Sequence, residues 1–519
     1  MPTGRVYLLG AGPGDPELIT QRAARRLGEA DLVLYDALVH PELLDLCRED
    51  AIKQYVGKRA GRASERQSEI CARMIEAARA GKIVARLKGG DPYLFGRGSE
   101  EAEALHDAGI PFEVVPGVPS PTAATEYAGI SLTHRQASSS VAFLTATESA
   151  DKDRSSHDWT KLATATETLV IFMGVRKLET LMQILIEHGR PASTPAAVIE
   201  QASLPRQRTV VATVGTIAEA ARAASIGMPA LTVVGEVVTL RDALRWYDVQ
   251  PLFGKRVLVT RPEDRSLDLA RMLRDQGAEA LRLPAIRIAP PDDPEPLSRA
   301  VREARGYDWI VWTSASGVRA FFDEVERQGL DARALGAARI CAIGPATAAV
   351  LREHGLRADV IPSEFRGEGA AQAVLDAHGG DLHGVRILLP RAAVAREVLP
   401  DTLRAAGAHV DVVHAYQNLP PAPDDEAAIR RAFDEGAIDV VTFTAPSTVA
   451  SVVRILGDRA IASLAHLTVA SIGPVTTAAA EALGVRVDVT AEQYTAEGLV
   501  DALRAHAARG MPGAVGASR

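Results

Sequence analysis

Apolar positions in the first 240 residues fall into short runs separated by amphipathic, alanine-rich stretches. RVYLLG (5–10), DLVLYD (31–36), GKIVARLKG (81–89), FEVVPG (112–117), SVAFLTA (140–146), TLVIFMG (168–174) and ALTVVG (230–235) predict strands, most of them closed by glycine, proline or aspartate. LITQRAARRLGEA (18–30) and ERQSEICARMIEAARA (65–80) carry apolar residues at helical spacing. Strand alternating with helix predicts an α/β layered architecture.

The rhythm restarts near RWYDVQPLFGK, where Trp246 and Pro251 precede a fresh strand, RVLVT. This predicts a first region over 1–245 with subdomains of about 1–115 and 116–245, a linker over 246–254, a second region over 255–505, and a fraying tail over 506–519, rich in small residues. The second region echoes itself. RVLVTRP (256–262) resembles RILLPRA (386–392), and DWIVWTSASGV (308–318) resembles DVVTFTAPSTV (439–449). ARICAIGPATAAVLREHGL (338–356) resembles LTVASIGPVTTAAAEALGV (467–485). Two similar lobes, each around a parallel sheet, are expected. Most echoes end a strand on Ser, Thr or Gly and then open a helix, whose free N–H groups and positive dipole end suit anions; ordinary helix capping is the plainer reading.

Composition narrows the function. A chain of 519 residues exceeds one hydrophobic core. A net charge of -8, spread without blocks, argues against a nucleic-acid partner. Cys47, Cys71 and Cys341 form neither a CxxC pair nor a disulfide framework, which points to a reducing, cytoplasmic setting. No apolar run reaches membrane-spanning length, no signal-peptide pattern opens the chain, and no spacing suggests a metal site.

Three glycine segments follow predicted strands. In GAGPGDPELIT, Gly10, Gly12 and Gly14 lead to Asp15, where a dinucleotide fingerprint needs another glycine. Asp15 and Glu17 would repel a pyrophosphate, although Asp36 sits where a ribose-binding acid would in an NAD site. A neutral or cationic ligand suits the turn better. RLKGGDPYLFGRGSEEAEAL (86–105) and VVPGVPSPTAATEYAGISLTHR (114–135) supply the other two segments, and all three are expected to share one cleft.

These segments, with YDALV, VGKR, TLVIFMG and VVGEVV, resemble the uroporphyrinogen-III C-methyltransferases of the tetrapyrrole methylase family over about residues 4–240. The resemblance implies two α/β domains holding S-adenosylmethionine in the cleft between them, S-adenosylhomocysteine as product, and a homodimer formed through this half. It implies methyl transfer to C2 and C7 of uroporphyrinogen III, giving precorrin-2 on the way to siroheme or a cobalamin-type corrinoid. Pro13, Gly89, Gly90, Asp91, Leu94, Pro119, Ser120, Met173 and Ala212 fall at donor positions. Asp36 and Lys58 match positions of proton transfer, Arg97 is the candidate base, and Glu100 and Arg135 lie near the macrocycle. Lys58, Arg59, Arg62, Arg97 and Arg135 offer counter-charges to the eight carboxylates of such a substrate. Arginine abstracts a proton only when its pKa is strongly perturbed, so electrostatic steering is the safer role for Arg97. Departures from the pattern are Ala37 where an arginine is common, LTAT at 144–147, Pro119–Ser120 for Thr–Ala, and Ala212 for glycine.

Residues 255–505 resemble the uroporphyrinogen-III synthases through GKRVLVTRP, DWIVWTSASGVRAFF, AIGPATAAVLREHG, ILLPRA, VVHAYQN, VTFTAPSTV and ASIGPVTTAAAEALG, in that order. The resemblance implies a bilobal α/β fold that closes linear hydroxymethylbilane to uroporphyrinogen III, expelling water and inverting ring D. Tyr416 falls where the family places a tyrosine that protonates the leaving hydroxyl; amphipathic packing is the plainer reading. Arg261, Ser314, Ser316, Thr347, Arg391, Ser447, Thr476 and Thr477, at strand ends or helix starts, would hold carboxylates. A methyltransferase fused to a non-catalytic anion-binding module is the alternative.

Overall fold

The structure, a computed structural model, describes residues 4–57, 67–146, 157–262 and 266–510. Lys58, Arg59, Arg62 and Thr147 lie outside the described residues. The chain divides into two compact units, Met1–Gly254 with Gln276–Glu279, and Lys255–Asp275 with Ala280–Arg519.

The first unit holds two five-stranded sheets. In the first, β1 (Arg5–Gly10), β2 (Leu32–Tyr35), β3 (Ile52–Tyr55), β4 (Ile83–Lys88) and β5 (Phe112–Val115) lie in the order β3-β2-β4-β1-β5, all parallel. Val6, Leu8, Leu34 and Val84 face one helical layer, while Tyr7, Leu9, Val33 and Leu87 face the other. Burial on both faces turns these strands into continuous apolar runs. The second sheet comprises β6 (Val141–Thr145), β7 (Thr168–Phe172), β8 (Pro195–Glu200), β9 (Arg208–Thr213) and β10 (Ala230–Val234), in the order β6-β7-β10-β8-β9. Only β6–β7 is parallel there. Strands β3, β8 and β9 were not among the apolar runs. IKQY and RTVVAT are edge strands with little burial, and PAAVIE opens on proline.

The stretch expected to link the regions is packed instead. Tyr247 is buried, and its ring and that of Trp246 meet Tyr127 at 4.7 and 5.1 Å. Arg241 reaches Asp248 and the Ala128 carbonyl. Residues 246–248 therefore close over the helix Ser120–Tyr127.

The second unit contains β11 (Arg256–Val259), β12 (Glu279–Arg282), β13 (Arg287–Ala289), β14 (Trp309–Trp312), β15 (Arg339–Ala342), β16 (Arg386–Ala392), β17 (His409–Leu419), β18 (Val440–Phe443), β19 (Thr468–Ser471) and β20 (Val489–Thr490). They form two sheets, ordered β12-β11-β18-β19-β20 and β13-β17-β16-β14-β15. The expectation of a parallel sheet in each lobe needs correction at one edge, because β13 runs antiparallel to β17. The last helix, Ala496–Gly510, continues five residues into the stretch expected to fray.

The echoed strings occupy matching places, but not repeat by repeat. β11, β18 and β19 are neighbours in one sheet, and their echoes β16, β14 and β15 are neighbours in the same spatial order in the other. Along the chain, however, β11 belongs with β14 and β15, and β16 with β18 and β19. Each lobe thus takes its opening strands from one repeat and the rest from the other. The carboxylates that seal the exchange match too. Asp439 accepts the Arg256 N–H at 2.7 Å, and Asp308 accepts the Arg386 N–H at 2.8 Å.

Neither repeat can therefore build a lobe alone. A full-length chain cleaved between Gly379 and Gly380, an open turn with both φ angles positive, should stay one particle on gel filtration. Fragments ending or starting there, expressed separately, should show no cooperative thermal transition of a synthase lobe by circular dichroism. A cooperative melt of residues 380–519 alone would contradict the exchange of strands.

Candidate functional site

Three backbones meet at the carboxyl edge of the first sheet. A Cβ on Gly10 would lie 2.4 Å from the Gly117 nitrogen and 2.8 Å from the Gly90 oxygen, and one on Gly117 would lie 2.3 Å from the Gly90 oxygen. No side chain fits at this contact. Gly12 and Gly90 exchange backbone hydrogen bonds of 3.3 and 2.6 Å, both at positive φ. The glycine segments thus converge because their peptide planes touch. Beside them, a Cβ on Gly90 would meet only the Ser120 nitrogen, at 3.8 Å, so open space adjoins Gly90 at the start of the helix capped by Pro119. Gly89 faces Leu38.

Asp91 organises this edge. Its Oδ1 accepts the N–H groups of Tyr93 (2.8 Å) and Leu94 (3.1 Å), and its Oδ2 accepts that of Gly117 (3.1 Å). The side chain serves the backbone of its own loop and of the third glycine segment.

The second subdomain approaches at two places. Gly14 abuts the Ala202 carbonyl, where a Cβ would come within 2.8 Å. The Asp15 N–H donates to Ser203 Oγ at 3.1 Å, and Tyr127 Oη donates to Asp15 Oδ2 at 3.0 Å. Burial, reinforced by Asp15, pushes the Tyr127 phenol up from its ordinary pKa. Pro13, Gly14, Leu38, Gln201, Ala202 and Leu204 help to line a cavity of about 280 Å³. At the second place, the rings of Phe95 and Phe172 meet at 4.7 Å, bringing the end of β7 against the Leu94–Arg97 loop. Met173 follows there, half exposed at φ +54.

Ala212 is not part of this arrangement. It pairs with Ala196 inside the β8–β9 hairpin and packs against the core of the second subdomain. The turn of that hairpin carries Ala202 to Pro13 and Gly14, which adds Ala202 as a donor-side candidate beside Ala212. The signal was EQASLPRQR, a polar, proline-containing turn between two strands.

Arg97 is also placed differently from a base. It sits at φ +59, exposed, with Nε and Nη2 donating to the Glu100 carboxylate at 2.9 and 2.7 Å. The Glu100 hydrogen bond raises the guanidinium pKa above its already high ordinary value, and the same bond lowers that of Glu100. This pairing agrees with the steering role preferred for Arg97 from the sequence. Arg135 stands exposed in a turn closed by His134 and Ser138.

Asp36 accepts the Leu38 N–H through Oδ1 at 3.1 Å, and its Oδ2 lies 3.6 Å from Arg86 Nη2. Arg86 leads to a buried cluster that the sequence reading missed. Glu101 is wholly buried, and its Oε1 accepts from Arg86 Nε (3.1 Å), Lys88 Nζ (3.0 Å) and Gln67 Nε2 (2.8 Å). Its Oε2 has no partner among the described residues. Burial, then the neighbouring Arg86, pushes the Lys88 ammonium down. The available signal was the i, i+2 pair of cations inside an apolar strand, which places both on one face.

In the second unit, a cavity of about 550 Å³ is lined by mirrored segments, Gly344–Thr347 and Gly473–Thr476, with Thr313 opposite Thr444. Phe365 and Tyr494 each lie against the glycine of their own turn, and their rings stand 6.3 Å apart at 90°. These aromatics, with Arg366, were missed, although FRGEGA (365–370) and YTAEGL (494–499) echo one another. Thr347 and Thr476 line the cavity. Thr477 turns away, bonding Thr490 Oγ1 at 2.8 Å and Ser471 Oγ. Ser316 is buried in the helix Ala315–Arg327, Ser447 is half-buried in the first turn of Pro446–Leu456, and Arg261 is half-buried beyond β11. Arg391 is buried, bonded to the Arg396 carbonyl (2.9 Å) and the Glu397 carboxylate, with Nε unpartnered.

Tyr416 owes its direction to a β-bulge. Pairing of β16 with β17 slips between Arg391 and Ala392, so Ala415 and Tyr416 are both buried on the side of the helix Ala315–Arg327. Tyr416 Oη then lies 3.1 Å from Ser314 Oγ, which also accepts the Gly317 N–H at 3.0 Å as the cap of that helix. Among the described residues, no group of three or more His, Cys, Asp or Glu gathers as metal ligands, and no helix is long and apolar enough to cross a membrane.

Comparison with known proteins places both units. Residues 5–218 match the tetrapyrrole (corrin/porphyrin) methylases, and residues 268–501 match the uroporphyrinogen-III synthase HemD. The porphyrin biosynthesis protein HemD of Ruminiclostridium josui is 38% identical over 503 residues, covering 97% of this chain and 98% of that protein. The uroporphyrinogen-III C-methyltransferase of Bacillus subtilis is 39% identical over 338 residues, 65% of this chain and 69% of that one. A crystal structure of the uroporphyrin-III C-methyltransferase of Thermus thermophilus complexed with S-adenosylhomocysteine is 41% identical, covering 45% of this chain and 93% of that one, with a TM-score of 0.39. The chain belongs to the porphyrin-biosynthesis proteins that join a uroporphyrinogen-III C-methyltransferase of the tetrapyrrole methylase family to a uroporphyrinogen-III synthase in one polypeptide.

Proposed function

We propose that the units perform consecutive steps. The synthase closes hydroxymethylbilane to uroporphyrinogen III, with loss of water and inversion of ring D, and the methylase converts that product to precorrin-2 by methylation at C2 and C7. The observation that carries the reading is the convergence of Gly10, Gly90 and Gly117 beside open space at Ser120. This is a cradle made of backbone. It fits S-adenosylmethionine, held by Pro13, Gly89, Gly90, Leu94, Pro119, Ser120, Met173 and Ala202, with Asp91 fixing the loop. The bound donor supplies an electrophilic methyl group. The chain's own contribution is to fix the approach of the pyrrole carbon and to keep water out.

Asp36 is the group we assign to proton transfer in the methylase, with Lys58 as a further expectation from the resemblance. Glu101 holds Arg86, and Arg86 faces Asp36, so the buried cluster sets the charge behind that carboxyl. Arg97 exchanges Glu100 for a substrate carboxylate, and Arg135 offers a second contact. In the synthase, Thr347 and Thr476 at paired helix starts receive carboxylates, and Tyr416 protonates the leaving hydroxyl. Ser316, Ser447, Thr477, Arg261 and Arg391 are assigned to shaping the cleft. We further propose a homodimer formed through the methylase unit, and a cytoplasmic setting consistent with free Cys47, Cys71 and Cys341.

A coupled assay tests the whole reading. Hydroxymethylbilane should give isomer III faster than spontaneous isomer I, and added S-adenosylmethionine should then give the dimethylated product. Methylation of supplied uroporphyrinogen III without the first activity would leave the C-terminal unit as an anion-binding module. Arg97→Ala should raise the methylase KM roughly tenfold with kcat little changed, as loss of one charge-assisted contact would. A kcat collapse at constant KM would return Arg97 to the role of base.

Glu101→Gln should cost about 3–5 kcal/mol of stability by denaturant unfolding at pH 7, because it leaves buried cations unpaired. Burial depresses the folded pKa of Lys88 below the unfolded value. The folded state therefore binds fewer protons in that window, and stability rises with pH until the unfolded pKa of lysine is passed. Losing the Glu101 charge deepens the depression, so the deficit of the variant should shrink between pH 7 and about pH 10. A deficit constant over that range would exclude Lys88 as its source.

A further inference from the structure

The synthase cavity is built by two lobes that echo one another, and a nearly symmetric cleft does not by itself tell a linear substrate which way to lie. The echo allows the two lobes to be compared position by position. Thr313 and Thr444 both line the cavity, and Ser314 and Ala445 follow them. Along the chain, Ala285–Ile286, in the connection between β12 and β13, echoes Ala415–Tyr416 on β17; both alanines are buried, and Pro290–Pro291 and Pro420–Pro421 close both stretches. Ile286 and Tyr416 are equally buried, at 7% and 8% exposure. Where one repeat carries the hydroxyl residues Ser314 and Tyr416, 3.1 Å apart, the echoed positions thus carry the apolar residues Ala445 and Ile286.

The hydrogen bonding around Ser314 gives the pair a direction. Ser314 Oγ already accepts the Gly317 N–H. Its own proton remains available to point at Tyr416 Oη, leaving the phenolic proton for a third partner. We propose that Ser314 is a positioning residue for the water-expelling step, holding the Tyr416 phenol as a donor toward the cleft, and that this pair fixes the lobe built on β13–β17 as the one that receives the reacting end of the linear substrate. The inference rests on the synthase reading above and refines it, moving Ser314 from a carboxylate contact to a support for Tyr416. In the step, the carbon–oxygen bond of the leaving hydroxyl breaks and its electrons stay with oxygen. The Tyr416 proton completes the water. The Ser314 hydroxyl donates to the phenolate left behind, which takes back the proton shed by the ring carbon on closure.

The test compares Ser314→Thr, Ser314→Asp and Tyr416→Phe in the full-length chain. Methylation of supplied uroporphyrinogen III serves as the internal control for folding. Threonine keeps both the cap and the donor, and its synthase kcat should stay within about threefold of the parent. Aspartate keeps the cap for the Gly317 N–H but donates nothing. Its Tm should hold within about 2 °C, while synthase kcat falls at least roughly tenfold, a share of what a positioned acid contributes; KM should move far less. Tyr416→Phe should fall at least as far. Full activity in Ser314→Asp with Tyr416→Phe impaired would overturn the positioning role and leave the acid assignment standing. Full activity in Tyr416→Phe would overturn both. Equal losses in Ser314→Thr and Ser314→Asp would mean that shape, not the donated proton, matters, and would also overturn the proposal.

Discussion

Contact between peptide backbones at Gly10, Gly90 and Gly117 is the constraint on which the first unit's architecture turns. Strand ends in a parallel sheet are normally separated by side chains, and ligands occupy the crevice beyond them. Here the ends of β1 and β4 and the turn after β5 are drawn to within contact of one another. The crevice is consequently walled by peptide groups rather than side chains. Asp91 then ties two of the converging loops together, because its two oxygens serve Tyr93 and Leu94 of its own loop and Gly117 of the third. The second subdomain closes against the same edge through Asp15 and Ser203. The hydrogen bond of Tyr127 to Asp15 passes the contact on to Trp246 and Tyr247.

Behind that edge, the Glu101 cluster runs against the usual rule for cores. Desolvating one carboxylate and two cations is expensive, and an apolar substitute of equal volume is often at least as stable. Its position gives a reason for keeping it. Lys88 immediately precedes Gly89, and Arg86 stands between Glu101 and Asp36. A buried charge set at the base of the glycine loop fixes the electrostatic field at the loop and at Asp36 with little solvent screening. Arg97 and Glu100, exposed on the far side of the same turn, are free to exchange partners at small cost.

Much of this was legible in the sequence because local chemistry fixed it. The glycine segments announced turns, the apolar runs announced strands in α/β layers, and the echoed strings announced paired lobes. What escaped depends on partners distant in sequence. Nothing in RLKGG or GSEEAEAL states that Lys88 and Glu101 meet. Ala212 and Ala202 both flank polar residues near a hairpin, and only the fold carries one to Pro13 and leaves the other in a strand. The exchange of opening strands between repeats has no local signature either. β11 and β16 each fit either lobe, because the echo that reveals the duplication also makes the two sheets interchangeable.

That interchangeability bears on chemistry. Duplication supplies two copies of a cavity-lining helix start, Gly344–Thr347 and Gly473–Thr476, and two aromatic covers, Phe365 and Tyr494, which suits a ligand bearing similar groups along its length. Expelling water from one end of such a ligand requires the copies to differ. They differ where a bulge turns Tyr416 toward the cap of the neighbouring helix, while the echoed position of the other repeat carries Ile286. A shift in strand pairing and an exchange of two apolar side chains for hydroxyls therefore separate a lobe that can donate a proton from one that can only bind. The binding surface keeps the symmetry of the duplication, and the chemistry sits where that symmetry is broken.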